Sequence, residues 1–176
     1  MSQTSLLVPV DFSPRSAAAL RYAAQLAATS GTGLLVLHVL HESAHQAGSY
    51  RRFAGDQMSL PLSQVAQTML DEFILRVCDN TGSPCLPRPQ IETLVVDGLP
   101  ANRILEVADR YEVAQIILGT SIRSRMSRFF HDGVAGQIGK LSTRPVTLIH
   151  EVWPEPEEHA AAELEPLLAK ADEIHP

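Results

Sequence analysis

The chain has little cysteine, little charge and no long apolar run. Of its 176 residues only Cys78 and Cys85 are cysteines. They match no metal-ligand spacing and cannot build a disulfide framework, so two reduced thiols are expected, as in the cytosol. No apolar run reaches the ~18 residues that span a bilayer, which argues against membrane insertion. The opening MSQTSLLVPVDFSP has neither a basic n-region nor a long apolar h-region. No secretory signal is read there, and a cytoplasmic location is expected. There is no internal repeat and no Walker-type lysine. Ser13, Ser121, Ser124 and Ser127 have no histidine at a spacing that would make a nucleophile. Charged residues are 19% of the chain and the net charge is −6. Residues 1–150 hold thirteen basic and twelve acidic side chains, whereas residues 151–176 hold one lysine and eight acids. The body is nearly neutral, which argues against nucleic-acid binding, because that needs a basic surface.

What the chain does have is an apolar fraction of 45% in a length suited to one domain. SLLVPV (Ser5–Val10) reads as a buried strand. Ser13 then suits an N-cap and Pro14 the first position of a helix running to about Ser30, where Gly31 and Gly33 stop it. LLVLHVL (Leu34–Leu40) is a second strand. Residues 42–60 read as a long polar loop. A second helix opens at Pro61 or Ser63, carries Val65, Leu70, Phe73 and Val77, and stops at Asn80-Thr81-Gly82. Pro84, Pro87 and Pro89 hold an extended connection. Ile91–Val96 is a third strand, and Asp97–Pro100 turns into a helix with Ile104, Val107 and Ala108. Val113–Leu118 is a fourth strand. Residues 119–132 form a Ser/Arg loop, a helix runs from about Gly133 to Leu141, and Pro145–Ile149 is a fifth strand. Continuous apolar strands alternating with helices predict an α/β domain, an open doubly wound parallel sheet covered on both faces. Residues 151–176 form an acidic tail, with helical spacing of Leu164, Leu167 and Leu168 in Ala160–Ile174.

Such sheets bind ligands beyond the carboxyl ends of their strands, where strand order reverses. Strand 1 ends at Asp11 and strand 4 at Gly119-Thr120-Ser121. Asp11 serves either a helix-entry turn or a ligand's base, ribose or metal-bound water. Arg123, Arg125 and Arg128 suit either phosphate oxygens or a solvated loop. His38, His41 and His45 read as scattered strand-end and loop histidines rather than a metal face. Gly133, Gly136 and Gly139 read as small residues for close helix packing.

Four segments, LLVPVDFSPRSAAALRYAAQLA, LLVLHVL, VVDGLPANRILEVADRYEVAQIILGTS and RPVTLI, stand in the order and spacing of the universal stress protein family. The resemblance covers about residues 4–150. It implies a Rossmann-like sheet in the order 3-2-1-4-5, and a homodimer formed through the edge strand Pro145–Ile149, with Val146, Leu148 and Ile149 in the interface. It adds Val39, whose backbone would meet an adenine edge. Pocket candidates are Asp11, Val39, Gly119, Thr120, Ser121, Arg123, Gly133 and Val134.

The family's nucleotide-binding branch carries Gly, two residues, Gly, nine residues, then Gly and Ser or Thr. Gly119 fits the first place. Ile122 fills the second, and Asp132-Gly133 fills the last pair. A one-residue slip would instead put Gly133 on the third glycine and Val134 at the hydroxyl position. Ile122 disfavours positive φ and hinders backbone approach to a phosphate, and Gly133 has no hydroxyl to offer one. The resemblance therefore implies a dimeric, non-enzymatic stress-response module with a degraded ATP-Mg site and protein partners the sequence does not name. Two alternatives stand beside it: a slow Mg-dependent ATP hydrolase with Asp11 at the metal, and a nucleotide-independent interaction module. No catalytic residue or resident metal ligand is singled out.

Overall fold

The computed structural model of the chain describes residues 5–41, 61–79, 90–120 and 133–150. In chain order these form β1 (Ser5–Val10), α1 (Pro14–Ser30), β2 (Gly33–Leu40), α2 (Leu62–Asp79), β3 (Ile91–Asp97), α3 (Pro100–Arg110), β4 (Gln115–Gly119), α4 (Val134–Leu141) and β5 (Val146–Ile149). All strand pairs are parallel, in the order β3-β2-β1-β4-β5. The expected doubly wound sheet is present, and its order reverses between β1 and β4.

The strands are apolar throughout because both faces are covered. Leu6, Val8 and Val36 pack with Leu20 of α1 and with Leu70 and Phe73 of α2. The alternate residues Leu7, Leu35, Leu37 and Ile116 pack with Ile104 of α3 and Ile138 of α4 on the other face. Ala18, Ala19, Ala23, Ala24 and Ala27 of α1 are buried and let the helix approach the sheet closely. Its ends follow the sequence. Ser13 Oγ accepts the Ser16 N–H at 3.3 Å, Pro14 occupies the first turn, and Gly31 adopts the left-handed C-cap at φ 67°. Such an N-cap contributes about 1 kcal/mol.

Three boundaries differ from expectation. Val113 is fully buried but is not in β4: its N–H donates to the Ala108 carbonyl at 3.1 Å, in a helix-exit turn where Glu112 sits at φ 48°. Its apolar character reflects burial, not extended pairing. Gly133 precedes α4 as its N-cap instead of starting the helix. Pro145 stays outside β5 because it has no N–H to donate, although its carbonyl accepts the Ile116 N–H at 2.9 Å. The expectation of two reduced thiols also fails at Cys78, which is disulfide-bonded. A compartment argument carries no geometry. Cys85, the readings of residues 42–60 and 80–89, and the acidic tail lie outside the described residues. Among the described residues no helix is long and apolar enough to cross a membrane.

Candidate functional site

The site begins with an interruption in the sheet. The β1–β2 ladder runs up to Val10↔His38, whereas β1–β4 pairing covers only Leu6↔Gln115 and Leu7↔Ile116. Pro9 brings no N–H with which to extend a ladder. Above that point β1 and β4 part, and a cavity of about 210 Å³ opens between their carboxyl ends. Pro9, Val10 and Asp11 form one side of it, and Leu118 and Gly119 the other. Leu37, His38 and Val39 of β2 also line it, with Pro100 and Ile104 closing it from α3 and Val134 from α4. Val39 sits one residue beyond the last β1–β2 pair.

Asp11 takes the helix-entry role and also stands in the cavity wall. The Ser13 N–H and Oγ–H both donate to its Oδ1, at 3.1 and 2.5 Å, an Asx-type turn that fixes the entry of α1. The same residue lines the cavity. Desolvation is the largest influence on this carboxyl and pushes its pKa up. Hydrogen bonds from Ser13 and Ser16, with the nearby Arg15 charge, outweigh it, so the net shift is below the usual 3.8. Asp11 therefore stands in the cavity wall as a carboxylate.

Gly119 is required by the fold. A Cβ there would lie 2.1 Å from the Arg15 carbonyl oxygen, because the first turn of α1 is pressed against the end of β4. His38 is 1% exposed. Its Nδ1 lies 2.8 Å from the Val10 carbonyl, which can only accept, so Nδ1 carries the proton. Burial lowers its pKa, and the Val10 contact and the Asp11 charge oppose that without cancelling it. His38 stands in the cavity wall as a neutral ring.

Of the eight sequence candidates, Asp11, Val39, Gly119 and Val134 come together around the cavity. Thr120 is buried beside it, with its N–H donating to the Ile149 carbonyl at 2.9 Å, a bond that ties β4 to β5. Gly133 caps α4, next to Val134. Ser121 and Arg123 lie outside the described residues. The sequence reading missed Ser16, His38, Pro100 and Ile104 as wall residues. The signal for the last two was present: Asp97-Gly98-Leu99-Pro100 is a turn at a strand's carboxyl end, on the same edge as Asp11 and Gly119.

The comparisons bear on the same residues. The model of the "Universal stress protein family" matches residues 4–150. The universal stress protein YxiE of Bacillus subtilis (strain 168) is 27% identical over 152 residues, which is 82% of this chain and 97% of the relative. Among solved structures, a universal stress protein from Archaeoglobus fulgidus in complex with dAMP superposes with a TM-score of 0.56 at 20% identity, covering 85% of this chain and 99% of the other. A universal stress protein in complex with cAMP gives a TM-score of 0.56 at 16% identity, covering 85% and 98%. At these identities the solved structures establish the fold.

Proposed function

The chain belongs to the universal stress protein family, and from that premise we propose that it is a cytoplasmic, homodimeric, non-enzymatic stress-response module whose conformational ligand is an adenine nucleotide. The observation that carries this reading is the grouping of Asp11, Val39, Gly119 and Val134 around one cavity at the point where strand order reverses. That two structural neighbours were solved with dAMP and cAMP supports it.

In this arrangement Asp11 Oδ2 accepts from a ribose hydroxyl or an adenine amino group. The apolar walls Leu37, Ile104 and Leu118 flank the base, and the Val39 backbone meets its edge. The first amides of α4, behind the Gly133 cap, face the phosphate side as donors. Magnesium, if it accompanies ATP, supplies charge neutralisation between phosphates. The half-buried β5 forms the dimer edge, and the acidic residues 151–176 are an appendage to this unit.

The test is calorimetric titration of the purified protein with Mg-ATP, AMP and cAMP, after extraction to check for co-purified nucleotide. Micromolar binding of at least one, weakened about tenfold or more in Asp11→Ala by loss of a charge-assisted hydrogen bond, is the expected result. Sedimentation should give twice the monomer mass. An empty extract with no heat from any of the three rejects the nucleotide. It would favour the second reading, a nucleotide-independent interaction module, which the Ile122 and Asp132 substitutions in the family motif support.

A further inference from the structure

A second cavity lies on the α1/α2 face of the sheet. It is about 240 Å³ in volume, slightly larger than the one at the strand ends, and shares none of that cavity's lining residues. Phe12, Ala17, Phe73 and Val77 supply apolar walls, and Arg21 of α1 and Arg76 of α2 also line it. No carboxylate is among the described residues that line it. Arg76 is exposed and has no ion-pair partner among the described residues, Glu72 one turn earlier included.

Phe12 is held in an unusual conformation. Its φ is 63°, a left-handed geometry that is sterically unfavourable for a bulky side chain and persists only where surrounding contacts impose it. Those contacts are visible: the ring lies 4.3 Å from the His38 ring and edge-on to Phe73 at 5.5 Å. The backbone is thus bent to place an aromatic ring in the wall of a cavity that Arg21 and Arg76 also line.

We propose that this groove is a ligand site for a small aryl carboxylate, whose ring packs against Phe12 and Phe73 while its carboxylate is held by Arg21 and Arg76. The chemistry is specific in both halves. Aromatic walls favour a flat apolar body, and a guanidinium presents paired donors that match a carboxylate. A cavity of about 240 Å³ has room for a single substituted ring. The proposal does not rest on nucleotide binding at the strand ends.

The probe is 4-(trifluoromethyl)phenylacetate, followed by fluorine NMR in the presence of the full chain. Its line should broaden and shift saturably below about 10 mM, a weak-site concentration. The neutral 4-(trifluoromethyl)phenylacetamide should bind about tenfold more weakly, and Arg76→Gln should cost the carboxylate a similar factor. Arg76 is exposed on α2, so this variant keeps the fold. Ala17→Phe fills the groove and should abolish the signal, with a retained cooperative melt showing that the protein is folded. Val134→Trp fills the other cavity and should leave aryl binding unchanged. Equal binding of acid and amide, no effect of Arg76→Gln, or loss on Val134→Trp instead of Ala17→Phe would each overturn the assignment. So would displacement of the probe by the chain's own acidic residues 151–176, read as tighter binding once they are removed.

Discussion

Gly119 and Gly133 stand at the two ends of one family motif, and the protein treats them differently. At Gly119 a side chain would run into the Arg15 carbonyl at 2.1 Å, whereas at Gly133 there is nothing within 4 Å of where a Cβ would stand. The first glycine is demanded by the packing of α1 on β4, with or without a ligand. The rest of the motif answers to a phosphate alone, and that is where this chain departs from the family, with Ile122 in a glycine's place and Asp132-Gly133 in that of Gly and Ser or Thr. Keeping Gly119 is therefore weak support for nucleotide binding, because the fold would require it anyway. The support lies with Asp11 and Val39, which line the cavity and which the proposed reading sets against base and ribose.

The largest effect that would break this contrast is on stability. Gly119→Ala forces its methyl into backbone, not into a flexible side chain, so α1 or β4 must shift. The expected cost is about 3 kcal/mol, at the upper end for overpacking. Gly133→Ala, at an open N-cap with φ −78°, should cost well under about 1 kcal/mol. Urea denaturation of the two variants checks the difference, and equal midpoints would show that the close approach at Gly119 is not a real constraint.

A smaller effect concerns affinity. If the phosphate half has been lost while the base half remains, rebuilding it should favour the ligand with more phosphate. Ile122→Gly, Asp132→Gly and Gly133→Ser together should raise ATP affinity about tenfold while changing AMP affinity by less than about threefold. The serine at 133 has the room it needs. A triple variant whose ATP and AMP affinities rise together, or not at all, would remove the motif as the explanation of weak phosphate binding.

Much of this architecture is legible in the sequence. The parallel sheet and the crevice at its strand ends follow from apolar strands alternating with helices, the strand order is what the family resemblance implies, and Ser13, Pro14 and Gly31 mark the ends of α1 by their chemistry. Half the site was readable for the same reason: strand-end residues such as Asp11 and Gly119 are placed by the sheet itself. What escaped the sequence depends on contacts between distant residues. Val113 looks like a strand residue because burial and strand pairing leave the same apolar mark. His38 looks like a scattered histidine until Val10 is brought 2.8 Å from its ring. The left-handed φ of Phe12 has no sequence signature, since glycine, not phenylalanine, announces that conformation.

The smallest expected effect separates two acid-sensitive groups in the cavity wall, His38 and Asp11. Burial lowers the His38 pKa, so the folded protein holds a neutral ring where the unfolded chain, near 6.5, takes up a proton. As pH falls below about 6.5 the unfolded state gains protons that the folded state does not. Stability then declines, by no more than about 1.4 kcal/mol per pH unit for one proton, until the folded pKa is reached. Asp11 follows the same sign in a lower window. Its carboxylate is favoured in the fold, so its contribution is intact above about 3.8 and is lost as pH drops toward its depressed value. His38→Leu removes the Val10 hydrogen bond and should lower stability at every pH. The informative readout is the slope: between pH 6.5 and 5 the variant's stability should fall less steeply with acid than that of the parent chain, whereas below pH 3.8 the two should run parallel. Parallel curves across the upper window would mean that the histidine titrates alike in both states, and that its burial beside Phe12 and Asp11 does not hold it neutral.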